Sequence, residues 1–143
     1  MQDLELAKKQ LYDKDLTLAI VKNGQVIFQT DSHRISGFIH AIDTLGTQLN
    51  GASLADRVAG KALALLCVYA GIHEVYAEVL SKKAQTLFGE NKVVCQWKQL
   101  VDNVLDLNKI GVCPFEKAAA DISDPKASYG AFKALLEKMK PCK

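Results

Sequence analysis

No stretch of about 18 uncharged apolar residues occurs anywhere in the chain, which excludes a membrane-spanning helix. The first residues, Met1-Gln-Asp-Leu-Glu-Leu-Ala-Lys-Lys9, carry charge from the third position and lack the apolar run of a secretion signal. A cytoplasmic address is therefore expected. Charge of one sign is also missing: the formal net charge is only +2, and the basic residues are scattered among acids. A nucleic-acid partner would need a concentrated basic patch, so none is expected. The four cysteines, Cys67, Cys95, Cys113 and Cys142, form no Cys-x-x-Cys and have no nearby histidine pair. With no secretion signal they are not expected to form disulfides. Internal repeats, low-complexity tracts and interior linkers are absent as well.

What remains is ordinary globular composition, 49% apolar and 24% charged over 143 residues, enough for one domain. Residues 3–13 form a weakly amphipathic helix with Leu4, Leu11 and Tyr12 among charges. Leu16–Val21 and Val26–Thr30 are β-branched, apolar runs joined by Lys22-Asn-Gly-Gln25. Asn-Gly is the strongest short hairpin signal, because a type I′ turn needs positive φ at both central residues. Ile35, Phe38, Ile39, Ile42, Leu45 and Leu49 recur at three- and four-residue steps, which predicts a helix over about 36–49.

Residues 53–71 look like the central helix. Ser53 and Asp56 have capping-box spacing, the body is almost entirely small and apolar, and Gly71 is a C-terminal stop. A strand at 74–80, a helix at 81–88, a strand at 93–97 and a helix at 98–107 follow. A further helix opens at Cys113-Pro114 and runs to about 122, and a last one covers 126–140. The implied fold is an α/β three-layer α/β/α sandwich, with a mixed sheet that begins with an antiparallel hairpin. The strands at 74–80 and 93–97 should be parallel. The whole chain, 1–143, reads as one domain, with a core of about 15–122 and the C-terminal helix packed on it.

Two stretches, Leu54-Ala-Asp-Arg-Val-Ala-Gly-Lys-Ala62 and Gly111-Val-Cys-Pro-Phe-Glu-Lys117, resemble an uncharacterised prokaryotic domain-of-unknown-function family with a cytidine deaminase-like fold. Deaminases of that fold bind zinc through a His- or Cys-x-Glu at one helix start and Pro-Cys-x-x-Cys at the next. The zinc activates water and the glutamate moves protons. In this sequence the matching places read Leu54-Ala-Asp-Arg57 and Ser81-Lys-Lys-Ala84, with no zinc donor set. The resemblance thus implies the fold without metal and without a cofactor.

Five residues stand out as candidates. Asp56 is either a catalytic acid standing for the deaminase glutamate or a simple cap. Arg57 and Lys61 share a helix face in this reading, forming either a solvated edge or an anion site at a helix N-terminus. Cys113 precedes a proline at a helix start, where the dipole would activate a thiol, and Glu116 lies at the N3 position. A plain helix start with a small cysteine is the alternative there. His33, His40 and His73 read as surface or packing residues, and Trp97 as core or interface.

The sequence therefore points to a zinc-free deaminase-like domain of uncharacterised activity. It would bind a small anionic or nucleotide-like ligand at the N-terminus of the central helix, through Arg57, Lys61 and Glu116. Asp56 and Cys113 are the catalytic candidates. A non-catalytic structural or protein-interaction module with a degenerate site, and a thiol-dependent enzyme using Cys113, stay open beside it. Whether the protein is an enzyme stays open too, and a homo-oligomer is compatible with all three readings.

Overall fold

The computed structural model describes residues 2–31, 35–102 and 114–139. The chain opens with α1 (Asp3–Asp13), followed by the hairpin strands β1 (Leu18–Lys22) and β2 (Gln25–Thr30). Asn23 and Gly24 have φ of 53° and 77°, so the turn forms with both central residues left-handed, as the Asn-Gly pair predicts. Lys22 pairs with Gln25 across it. Asp3 fastens α1 to this turn: its carboxylate accepts from the Asn23 and Gly24 backbone N–H groups at 3.0 and 2.8 Å. Replacing Asp3 by Ala is expected to lower stability by about 1 kcal/mol, since those contacts are exposed. A shift in the urea midpoint would register it.

The next elements are α2 (Ile35–Leu45), which ends in a 3₁₀ turn at Gly46–Leu49, and then β3 (Ser53–Ala59). After these come α3 (Lys61–Ala70), β4 (Glu74–Ser81), α4 (Lys82–Glu90) and β5 (Val94–Val101). The described chain finishes with α5 (Pro114–Ala119) and α6 (Pro125–Met139). The sheet has five strands in the order β2-β1-β3-β4-β5. Its β1 is antiparallel to both neighbours, while β3, β4 and β5 run parallel. This is the mixed α/β sandwich opening on a hairpin that the sequence and its resemblance imply.

Two expectations are corrected. The stretch 53–71 is not one helix, because its first seven residues form the middle strand of the sheet. Ser53 caps nothing: its hydroxyl donates to Glu74 Oε1 at 2.7 Å across the β3–β4 pair. Gly60, extended at φ −107° and ψ −170°, is the boundary, and the helix starts at Lys61. A strand covered on both faces carries apolar residues on both, so it shows no clean alternation. Its Ala-rich sequence favours helix locally, and pairing on both sides overrides that preference. Likewise the strand expected at 93–97 continues to Val101, pairing Leu100 with Leu80, in place of a helix from 98. The part of that expected helix beyond residue 102 lies outside the described residues.

The two faces of the sheet are unequal. On one, α1 covers Ala19, Val21, Ala55 and Tyr76 through Leu4, Ala7 and Leu11, and no other described helix lies there. The other carries α2 to α6 and the large core, with Phe38, Leu65, Phe88, Phe115 and Phe132 almost fully buried. Each of α2, α3 and α4 follows a strand of the same direction and leads back toward the start of the next. Their N-termini therefore collect at one rim, beyond the carboxyl ends of β2, β3 and β4. The C-termini of α2 and α3 collect at the opposite edge. Gly71 closes α3 with φ 81°, and a Cβ there would sit 2.8 Å from Asn50 Oδ1, so only glycine fits.

Candidate functional site

Below the rim where helices begin, the middle of β3 delivers Asp56 to the face covered by α2 to α6, in register with Ala77 of β4. Its carboxyl accepts the Val58 backbone N–H at 3.4 Å. On the strand face that α3 covers, it has its pKa raised to about 7 by desolvation, against the opposing pull of backbone hydrogen bonds and of Arg57. The nearby Cys67 thiol, buried on α3, is pushed up in turn by burial and by the Asp56 charge. A carboxyl that titrates near neutrality can give or take a proton under ordinary conditions. Lys61, the first residue of α3, reaches toward the Ala120 carbonyl at 3.4 Å. Gly60 supplies no side-chain cap. In contrast, α4 is capped by the buried Ser81, whose hydroxyl takes the Ala84 N–H at 3.1 Å.

Arg57 does not join this group. One residue along β3, it points through the opposite face toward α1. Its Nε donates to the Leu16 carbonyl at 2.8 Å, and one terminal nitrogen meets Glu78 at 3.1 Å. The other reaches the Leu11 carbonyl and Asp15, each at 3.2 Å. The guanidinium also covers the Tyr12 ring, 4.8 Å from its centroid. Tyr12 shares a 2.6 Å hydrogen bond with the Tyr76 hydroxyl, and burial followed by that bond raises its pKa. Arg57 is therefore a rivet between β3, β4 and the end of α1, which has no basic residue of its own in its last turn. The shared helix face expected for Arg57 and Lys61 disappears with the helix.

Cys113 lies outside the described residues, and of Glu116 only the place in α5 is described. Cys95 is partly buried against the helix-side core, and Cys142 and His33 are outside the described residues. His40 packs its ring near Phe28. Among the described residues no group of three or more His, Cys, Asp or Glu could hold a metal ion. Among the described residues this region offers the Asp56 carboxylate and the Lys61 ammonium, which do not make a tetrahedral zinc site. No helix of the described residues is long and apolar enough to cross a membrane.

At the other edge, where α2 and α3 end, a groove of about 710 Å³ opens between these helices and α6. Asp43, Asn50, Tyr69, Tyr129 and Lys133 line it. Tyr69 and Tyr129 stack with centroids 4.9 Å apart and planes 10° from parallel. Asp43 takes hydrogen bonds from the Tyr129 hydroxyl and from Lys133 Nζ, the latter at 3.1 Å. Burial opposes ionisation of Asp43, but these two donors outweigh it and hold the carboxyl below its usual range. The sequence offered one trace of this group, the four-residue spacing of Tyr129 and Lys133 on one helix face. Asp43 and Tyr69 come from elements 86 and 60 residues earlier than Tyr129, and nothing local marks them.

The TM1506 family, described as a domain of unknown function (DUF1893), matches residues 6–137. The crystal structure of a DUF1893 family protein from Thermotoga maritima superposes with a TM-score of 0.79 at 26% identity, over 95% of this chain and 89% of that one. A diaminohydroxyphosphoribosylaminopyrimidine deaminase/5-amino-6-(5-phosphoribosylamino)uracil reductase from T. maritima superposes at 0.47 and 18% identity, over 81% of this chain and 39% of that one. RibD from Acinetobacter baumannii gives 0.44 and 20%, over 84% and 38%. No curated protein matches.

Proposed function

The chain belongs to the DUF1893 family, and from that premise we propose that it is a ligand-binding domain whose site is the rim at the carboxyl ends of β3 and β4. The ligand is small and anionic or nucleotide-like. The observation that carries this reading is Asp56, a carboxyl raised to about 7 on the strand that leads, through Gly60, into a helix with no side-chain cap. The positive end of α3 and the Lys61 ammonium favour an anionic group. Asp56, protonated below neutrality, hydrogen-bonds the polar edge of a base-like moiety without repelling that anion. Helix N-termini at strand carboxyl ends are a common ligand position in α/β sheets.

Calorimetric titration with adenosine and cytidine monophosphates and with sulfate tests the reading. Binding is expected to weaken about tenfold in Lys61→Ala, the loss of one charge-assisted contact. It is also expected to weaken as pH rises through about 7, where Asp56 becomes charged. That pH effect should vanish in Asp56→Asn.

A non-catalytic module is the second reading, favoured by the internal use of these groups: Lys61 already reaches a backbone carbonyl and Asp56 a backbone N–H. Absence of binding by every probe at millimolar concentration would select it.

A further inference from the structure

We propose that the groove between α2, α3 and α6 is a second binding site, separate from the rim, for a flat organic cation of the guanidinium or amidinium class. Its electrostatic sign follows from the topology. Helices α2 and α3 both end here, so their negative dipole ends converge on the groove, as their positive ends converge on the rim. Asp43 adds a full negative charge and Lys133 offsets it by pairing with it at 3.1 Å, while His40 contributes from the same helix. An anion would meet two helix C-termini with the lysine already engaged, so the groove selects against it.

The chemistry on the wall narrows the cation. Asp43 receives both of its hydrogen bonds, from Tyr129 and Lys133, on Oδ1. Its Oδ2 takes no hydrogen bond among the described residues, on a side chain that keeps 34% of its surface exposed. Tyr69 stacks on Tyr129 yet keeps 38% of its surface exposed, an aromatic platform on which a planar group can extend the stack. A carboxylate oxygen beside an aromatic face is the pairing that planar, delocalised cations satisfy, through an in-plane N–H and a cation–π contact. The protein places a cation of its own here: Lys133 Nζ lies 5.6 Å from the Tyr129 ring centroid. A volume of about 710 Å³ is in the range of small-molecule sites. An incoming cation competes with Lys133 for Asp43 while gaining the Tyr69 face.

Benzamidinium, followed by amide chemical shifts, is the probe, with benzoate as the control of equal shape and opposite charge. Benzamidinium is expected to shift Asp43, Asn50, Tyr69 and Tyr129 in a saturable way, and benzoate is expected to leave them unmoved. Tyr69→Ala should weaken binding about tenfold and Tyr69→Trp should retain it. Lys133→Met should bind several-fold more tightly, because the internal competitor is gone. Asp43→Asn should abolish binding. Benzoate binding as well as benzamidinium, no change in Tyr69→Ala, or weaker binding in Lys133→Met would each overturn the proposal. Melting curves of the two Tyr69 variants confirm that they fold, so the outcome does not hang on the Asp43 variant. Titrations at the rim leave this result untouched, and the reverse also holds.

Discussion

Replacing Asp56 with asparagine is expected to flatten the dependence of stability on pH between about 5 and 8, where the wild-type protein should lose roughly 2–3 kcal/mol. The folded-state carboxyl holds its proton up to about pH 7, whereas in the unfolded chain it lets go near the ordinary 3.8. Between those values the folded state binds more protons than the unfolded state, so stability falls as pH rises. The contribution is complete below about pH 4 and gone by about pH 8. Desolvation causes it, with the Cys67 thiol adjacent and Arg57 acting weakly in the other direction through the strand. Asparagine keeps an oxygen for the Val58 N–H and carries no charge, so the variant should be the more stable protein at pH 8, with the gap smaller at pH 5 and closing toward pH 4. Urea unfolding at the two pH values measures this. A wild-type curve no steeper than that of the variant would place the Asp56 carboxyl in the ordinary range.

The second large effect belongs to Arg57. Its removal to alanine strips donors from the Leu11 and Leu16 carbonyls and leaves the partly buried Glu78 without its 3.1 Å partner. Tyr12 loses the cation over its ring. Charge-assisted bonds of this kind contribute more than neutral ones, and removing one partner leaves the others stranded. About 3 kcal/mol of destabilisation is expected, or roughly 10 °C in melting temperature for a domain of this size. Lysine should recover less than half, since a single ammonium cannot reproduce the fork that spans a helix end and a neighbouring strand. Hydrogen exchange should show α1 opening first in Arg57→Ala. Loss confined to the rim, with α1 still protected, would count against the riveting role.

Much of the architecture could be read locally. The Asn23-Gly24 hairpin, the amphipathic stripe of α2, the stop at Gly71 and the parallel pairing of β4 with β5 all rest on short-range signals: positive φ, helical period, strand–helix–strand order. Family membership was legible as well, through residues 54–62 and the stretch around Phe115. The candidate site was legible only in part. Asp56 and Lys61 stand out in the sequence because charges interrupt an apolar run, but nothing local marks the strand-to-helix boundary between them. A helix here would put Arg57 on the same side as Lys61, whereas alternation in a strand sends it through the other face.

The groove was invisible for a related reason. Its Asp43–Tyr129 bond and Tyr69–Tyr129 stack join helices that are distant in sequence, and no period or spacing encodes such a meeting.

By itself, then, the sequence determined the Asn23-Gly24 turn, the stop at Gly71 and the amphipathic face of α2, because these depend on neighbours within a few residues. Tertiary structure alone decided that Ser53–Ala59 is a strand and not a helical turn. Its apolar, Ala-rich residues suit either state. The ladders to β1 and β4, which satisfy its backbone from both sides, supply the energy that local preference does not. That one decision also places Asp56 among the helices and Arg57 beneath α1, and with them the chemistry of the two faces.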